Sequence, residues 1–257
     1  MRINKIEAIV LKGEQLKEKD KIVSLYTRDF GLINANAKGK KWGSRLERGS
    51  IIQSLVYHRR GFTLIDCELS WIPSNIYKDL GLWCKASLIL ESVYKAVLPG
   101  EKNLQLYDLL TKSLKLLNEF RPADTISLAF LVKVVRISGY YPIYNKCQRC
   151  SSRRTHGYLS YSDGGYVCSN CYPSSGLALL GNNDFDMLDM LNSIDLNDIN
   201  DSFSINQNLF KAIIDYYEDV FENKLYSSKV MEQIKTSITH PFEGKSPSEK
   251  IRKGFAQ

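Results

Sequence analysis

The sequence predicts an α+β protein: a five-stranded OB-type β-barrel at the N-terminus, then an all-helical domain with an inserted four-cysteine zinc finger. Three observations carry this. Short alternating or β-branched segments fill the first third, apolar residues at helical spacing dominate from residue 80 onward, and two CxxC pairs sit in between. Apolar residues make up 44% and charged residues 25%, a balance that excludes a disordered or fibrous chain.

The strands are expected at Ile3–Leu11, Lys21–Thr27, Leu32–Lys38, Ile51–His58 and Phe62–Trp71. Ile33, Ala35 and Ala37 alternate with Asn34, Asn36 and Lys38, the period-2 pattern of a half-buried strand. Arg59-Arg60-Gly61 forms the turn of the last hairpin. Five short strands with one long connection between the third and fourth suit an OB barrel, with an SH3-like barrel as the competitor. The barrel is assigned to residues 1–79.

Helical spacing then runs over Leu80–Leu98, Leu104–Phe120 and Pro122–Ser138. The third is apolar on most sides, which marks it as the central buried helix, and Gly139 suits the position just past its end. Helices resume at Asp184–Leu191, Ile205–Phe221 and near Ser227–Thr236. The helical domain is assigned to 80–240, with the finger at 146–172 and a disordered tail at 241–257. Asp184, Asp186, Asp189, Asp195, Asp198 and Asp201 lack convergent spacing and read as solvated or helix-capping acids.

Cys147-Gln-Arg-Cys150 and Cys168-Ser-Asn-Cys171 are separated by 17 residues, inside the window for one tetrahedral zinc ion. Tyr158–Ser162 and Tyr166–Cys168 can double back across Asp163-Gly164-Gly165 to bring the pairs together. Four thiolates leave no open position for water, so one structural Zn2+ is the expected cofactor. Lys146 and Arg149 would offset the charge of the site. A disulfide framework fits poorly with the expected cytoplasmic location, and a thioredoxin-type site would need one pair in a βαβ unit. Cys67 and Cys84 read as buried apolar residues.

Enzyme readings fail on motifs. His58, His156 and His240 are followed by Arg-Arg, Gly-Tyr and Pro-Phe, so the His-x-Glu of a zinc deaminase is missing. There is no P-loop, G-x-G-x-x-G or nucleophile elbow, and no small-molecule substrate is expected. The N-terminus reads as a strand and not as a signal peptide, and no apolar run is long enough for a membrane span.

Charge points to a polyanion. Residues 1–80 hold 15 Lys and Arg against 9 Asp and Glu; the remainder holds 20 against 19. The loop Lys38–Arg48 concentrates Lys38, Lys40, Lys41, Arg45 and Arg48 around Trp42, and Arg59 and Arg60 follow at the next hairpin. These cations are candidates for phosphate contact and Trp42 for base stacking, which makes all eight candidate nucleic-acid-binding residues. Backbone contacts of this kind bind without regard to sequence and weaken with salt. The bland alternative is a solvated turn with Trp42 folded back as a barrel plug.

Several segments together resemble the RecO family of bacterial DNA repair proteins. They are Glu7-Ala-Ile-Val-Leu11, Lys19–Thr27 with Gly31, Ala37-Lys-Gly39 leading to Ser44-Arg45, and Phe62-Thr-Leu with Glu68. Gly139-Tyr-Tyr-Pro142 before the first CxxC, Gly164-Gly165 before Cys168, and Lys224-Leu-Tyr-Ser-Ser228 complete the order. The resemblance implies a non-enzymatic recombination mediator of DNA damage repair that binds single- and double-stranded DNA and anneals complementary strands. It implies partnership with RecR, with RecF in some pathways, and with the acidic C-terminal tail of the single-stranded-DNA-binding protein SSB, in loading RecA onto SSB-coated strands. It also implies a cytoplasmic, nucleoid-associated bacterial protein. Lys40-Lys-Trp-Gly43 departs from the family, which usually has further basic residues there. An OB adaptor of RNA metabolism or translation would carry a similar electrostatic surface and remains the alternative.

Overall fold

Alternation of small apolar and polar residues closes the first five strands on themselves. The computed structural model describes residues 2–16, 20–39, 42–172 and 176–239; Lys40, Lys41 and the tail expected at 241–257 lie outside them. Strands β1 (Arg2–Gln15), β2 (Lys21–Thr27), β3 (Gly31–Ala37), β4 (Ile51–His58) and β5 (Phe62–Trp71) form a closed barrel in the order β1-β2-β3-β5-β4. All pairs are antiparallel except β3 with β5, which run parallel at Ala35–Phe62 and Asn36–Thr63. This is the OB-type ring expected from the sequence.

β1 pairs with β4 along its first half and with β2 along its second, and a register shift between Val10 and Lys12 lets it turn the corner. It runs four residues past the expected Leu11. Lys12–Gln15 are exposed and carry no apolar signal, so only the ladder to Lys21–Ser24 defines them as strand.

Ile6, Ala8, Val10, Val23, Leu25, Ala35, Ile52 and Val56 fill the barrel interior. Alternate residues of the same strands, Ile9, Leu11, Tyr26, Leu32 and Ile51, face outward into the larger core of the helices. Each such fully buried aliphatic side chain is stabilised by about 1.5–3 kcal/mol relative to exposure.

The helices are α1 (Leu80–Ala96), α2 (Leu104–Asn118), α3 (Ala123–Ile137), α4 (Asn182–Ser193), α5 (Gln207–Val220) and α6 (Tyr226–Thr239). Asp79, Asn103 and Asn206 cap α1, α2 and α5 by accepting from the backbone N–H three residues on, at 2.8, 3.0 and 2.7 Å. α3 is buried on nearly all sides and packs against α1, α2, α4 and α5. Gly139 follows it at φ 84°, as a left-handed terminator should.

Barrel and helices are joined by polar contacts as well as by the shared core. The Tyr107 hydroxyl donates to Glu7 (2.9 Å), the Tyr26 hydroxyl to the Asn103 carbonyl (3.2 Å), and the Gly100 N–H to the Leu32 carbonyl (2.8 Å). Gly31 sits at φ 62° where a Cβ would lie 2.0 Å from the Glu101 carbonyl oxygen, so no other residue fits this approach.

Candidate metal centre and nucleic-acid interface

The finger is built by a hairpin inserted between α3 and α4. β6 (Gly157–Ser160) and β7 (Gly165–Cys168) pair antiparallel, and Gly164 and Gly165 take the positive φ that the turn requires. Gly165 lets the Ile143 segment lie alongside: the Ile143 carbonyl accepts from the Tyr166 N–H at 2.8 Å, and a Cβ on Gly165 would collide with it at 1.9 Å. The Cys147 carbonyl accepts from the Ser151 N–H, and the Cys168 carbonyl from the Cys171 N–H, so each CxxC is curled into a knuckle.

The four sulfurs of Cys147, Cys150, Cys168 and Cys171 come within 4.8 Å of one another. Among the described residues no other His, Cys, Asp and Glu group has metal-binding geometry. Burial pushes the Cys147 thiol up, but N–H groups of Cys168, Cys150 and Arg149 outweigh it and leave it lowered. The Ser152 hydroxyl and N–H draw Cys150 down to about 6. Cys171 goes the opposite way, to about 12, because it shares protons with Cys150 and Cys168. A divalent cation would complete such a set by displacing its protons. The donor set therefore fits a soft or borderline metal.

The cluster is tied to its surroundings by burial and by ion pairs. Cys147 and Cys168 are buried in the same apolar cluster as Tyr144, Tyr166 and Phe185, which joins the finger to the helical core. Arg149 chelates Asp163 at 2.8 and 2.9 Å and donates to the Cys171 carbonyl at 2.9 Å. Arg154 pairs with Asp186 at 2.6 Å over the Phe185 ring. The acidic stretch has local partners too: Asp184 accepts from Gly181, Asp189 from Tyr144, and Asp195 pairs with Lys112.

At the barrel, the expected residues divide. The registers Gln15–Lys21–Ala37 and Ala35–Phe62 bring the β1–β2 loop, the end of β3 and the β4–β5 hairpin to one end. Lys38, Arg59 and Arg60 are exposed there, and no carboxylate among the described residues pairs with them. Arg59 and Arg60, with Asn36, Tyr57 and Thr63, line an open depression of about 440 Å³. Asn36, Tyr57 and Thr63 were not singled out from sequence, although the outward positions of β3 already marked Asn36.

Two residues of the Lys38–Arg48 loop, Trp42 and Arg48, are turned inward, while Arg45 stays exposed. Trp42 is not an exposed stacking platform: it is 3% exposed inside the barrel, with its indole N–H donating to the Lys38 carbonyl at 2.9 Å. A large apolar ring beside an open barrel end is better placed inside than in water. Arg48 is turned inward, donating to the carbonyls of Leu11 (2.9 Å) and Ser87 (3.3 Å) and so tying β1 to α1. Burial lowers its guanidinium pKa, against the opposing charge of Glu91. Arg45 is exposed and spends one guanidinium nitrogen on the Cys67 carbonyl of β5 at 3.3 Å, where β5 has run past its pairing with β3. Cys67 and Cys84 are buried, as expected, and burial raises the Cys67 thiol to about 11.

Among the described residues no helix is long and apolar enough to cross a membrane. The family model described as recombination protein O C terminal matches residues 78–229, and that of recombination protein O N terminal matches residues 1–66. A DNA repair protein RecO of Caldanaerobacter subterraneus subsp. tengcongensis is 33% identical over 178 residues, covering 66% of this chain and 72% of its own. One from Thermoanaerobacter sp. is 34% identical over 178 residues, with the same shares covered. With barrel, helical core and four-cysteine finger in this order, the chain belongs to the RecO family of DNA repair and recombination proteins.

Proposed function

We propose that this protein is a non-enzymatic recombination mediator. It holds single- and double-stranded DNA at the cationic end of its barrel and anneals complementary strands. With RecR, and RecF in some pathways, it helps load RecA onto strands coated by SSB. The observation that carries the DNA-binding part is the open depression flanked by Arg59 and Arg60, whose charges no described carboxylate neutralises. Lys38 stands at the same end, and Lys40 and Lys41 follow it in sequence. Cations so placed release counterions from phosphates, and two strands held with their charge screened can pair without mutual repulsion.

The four cysteines hold one Zn2+, which supplies folding free energy and performs no chemistry. Cys147 and Cys168 fasten the metal to the core, while Arg149 and Asp163 brace the turn opposite. The helical domain is the site of partner recruitment, including the acidic SSB tail. Annealing of complementary strands coated with cognate SSB, with and without its acidic tail, tests this reading. Annealing that depends on the tail supports it; no annealing on either form, with naked strands also unpaired, contradicts it.

A further inference from the structure

A second cationic and aromatic cluster lies where barrel and helices meet. Lys12 of β1, Tyr94 and Lys95 of α1 and Tyr226 of α6 line a cleft of about 320 Å³, with Arg48 in its floor. That volume is at the lower end of small-ligand pockets. The ammonium groups of Lys95 and Lys229 lie 5.6 and 5.7 Å from the centre of the Tyr226 ring, and that of Lys12 lies 5.5 Å from the Tyr94 ring.

Packing does not account for Tyr226. It begins α6 and is 62% exposed. The carboxylates near it are already committed: Glu91 accepts from the N–H groups of Tyr226 and Ser227 at 3.0 and 2.8 Å, and Glu14 pairs with Lys12. Lys12 is paired with Glu14 and Arg48 lies against Glu91, so the cations beside the exposed ring are Lys95 and Lys229. The Lys38–Arg48 loop begins at the Arg59–Arg60 end of the barrel and finishes with Arg48 in this cleft, so a strand following the loop passes from one cluster to the other.

We propose that this cleft is a second contact for single-stranded nucleic acid, with Lys95 and Lys229 on phosphates and the Tyr226 ring stacked on one base. The proposal rests on the DNA-binding reading of the barrel and extends its footprint onto α1 and α6. A stacked base also gives selectivity for single strands over duplex, because a base within a duplex presents no free face.

The test compares Tyr226→Ala, Tyr226→Phe, Lys95→Ala with Lys229→Ala, and Arg59→Ala with Arg60→Ala. Each is titrated with a labelled oligo-dT and with a duplex of equal length, after matching melting temperatures to the parent. Tyr226→Ala should weaken oligo-dT binding about ten-fold more than duplex binding, with Phe restoring it. The Lys95, Lys229 pair should lower the salt slope for oligo-dT by about 1.4. If these variants bind oligo-dT like the parent while the Arg59, Arg60 pair binds weakly, the cleft is a packing feature and the proposal falls alone. If the Arg59, Arg60 pair is also unaffected, the barrel reading falls with it. Equal loss on duplex and single strand for Tyr226→Ala overturns stacking.

Discussion

Replacing Trp42 by alanine separates a barrel plug from a base platform. The ring is buried as part of the barrel core, and its N–H is bonded to the Lys38 carbonyl. Truncating a buried Trp to Ala costs about 3–5 kcal/mol from lost transfer free energy and the cavity left behind. Losing the hydrogen bond adds about 1 kcal/mol. At about 2–4 °C per kcal/mol for a chain of this size, the melting temperature should fall by on the order of 10 °C. Trp42→Phe keeps most of the apolar volume and loses the N–H, so its fall should be a fraction of that. Differential scanning calorimetry reads both. Single-strand affinity, measured well below the melting transition, should change little in Trp42→Phe. A Trp42→Ala variant that melts like the parent and loses single-strand affinity would refute the plug and restore the exposed platform.

Other expected outcomes follow from single contacts. Cys168→Ser should release the bound metal, read by a chromogenic chelator, and lower the melting temperature, since Cys168 belongs to both metal cluster and core; metal release at unchanged stability would contradict a structural clamp. Arg48→Met should destabilise by about 1–3 kcal/mol in urea titrations, because the Leu11 and Ser87 carbonyls lose their donor. Arg149 holds the Asp163 carboxyl below its usual range, with help from the Ser160 hydroxyl. A depressed carboxyl stabilises the fold above its unfolded pKa of about 3.9 and loses that contribution as pH falls through the folded value. Asp163→Asn should therefore be less stable than the parent at neutral pH, and the gap should narrow below about pH 4 in circular-dichroism melts.

Much of this architecture was legible from residue patterns. Period-2 alternation in β3 and the Gly164-Gly165 turn gave the barrel strand and the finger hairpin, because each signal is local. The cysteine spacing placed four sulfurs together for the same reason: a CxxC knuckle and a short hairpin leave the chain little other choice. What spacing could not supply was direction. Trp42 and Arg48 sit in a basic glycine-containing loop whose composition reads as exposed, yet one fills the barrel and the other spans β1 and α1. Both orientations depend on residues distant in sequence, the barrel core formed by the other strands for the indole and Ser87 for the guanidinium. Tyr226 and Lys95 were equally unreadable as neighbours, since 131 residues separate them and only the docking of α6 on α1 brings them together.

The salt dependence of single-strand binding tests the central claim most directly. The logarithm of the oligo-dT association constant, plotted against the logarithm of salt concentration, should fall linearly for the parent. In Arg59→Ala with Arg60→Ala its slope should become shallower by about 1.4, at about 0.7 per cation lost from a single strand. A slope unchanged by removing both arginines would contradict a nucleic-acid interface at this end of the barrel.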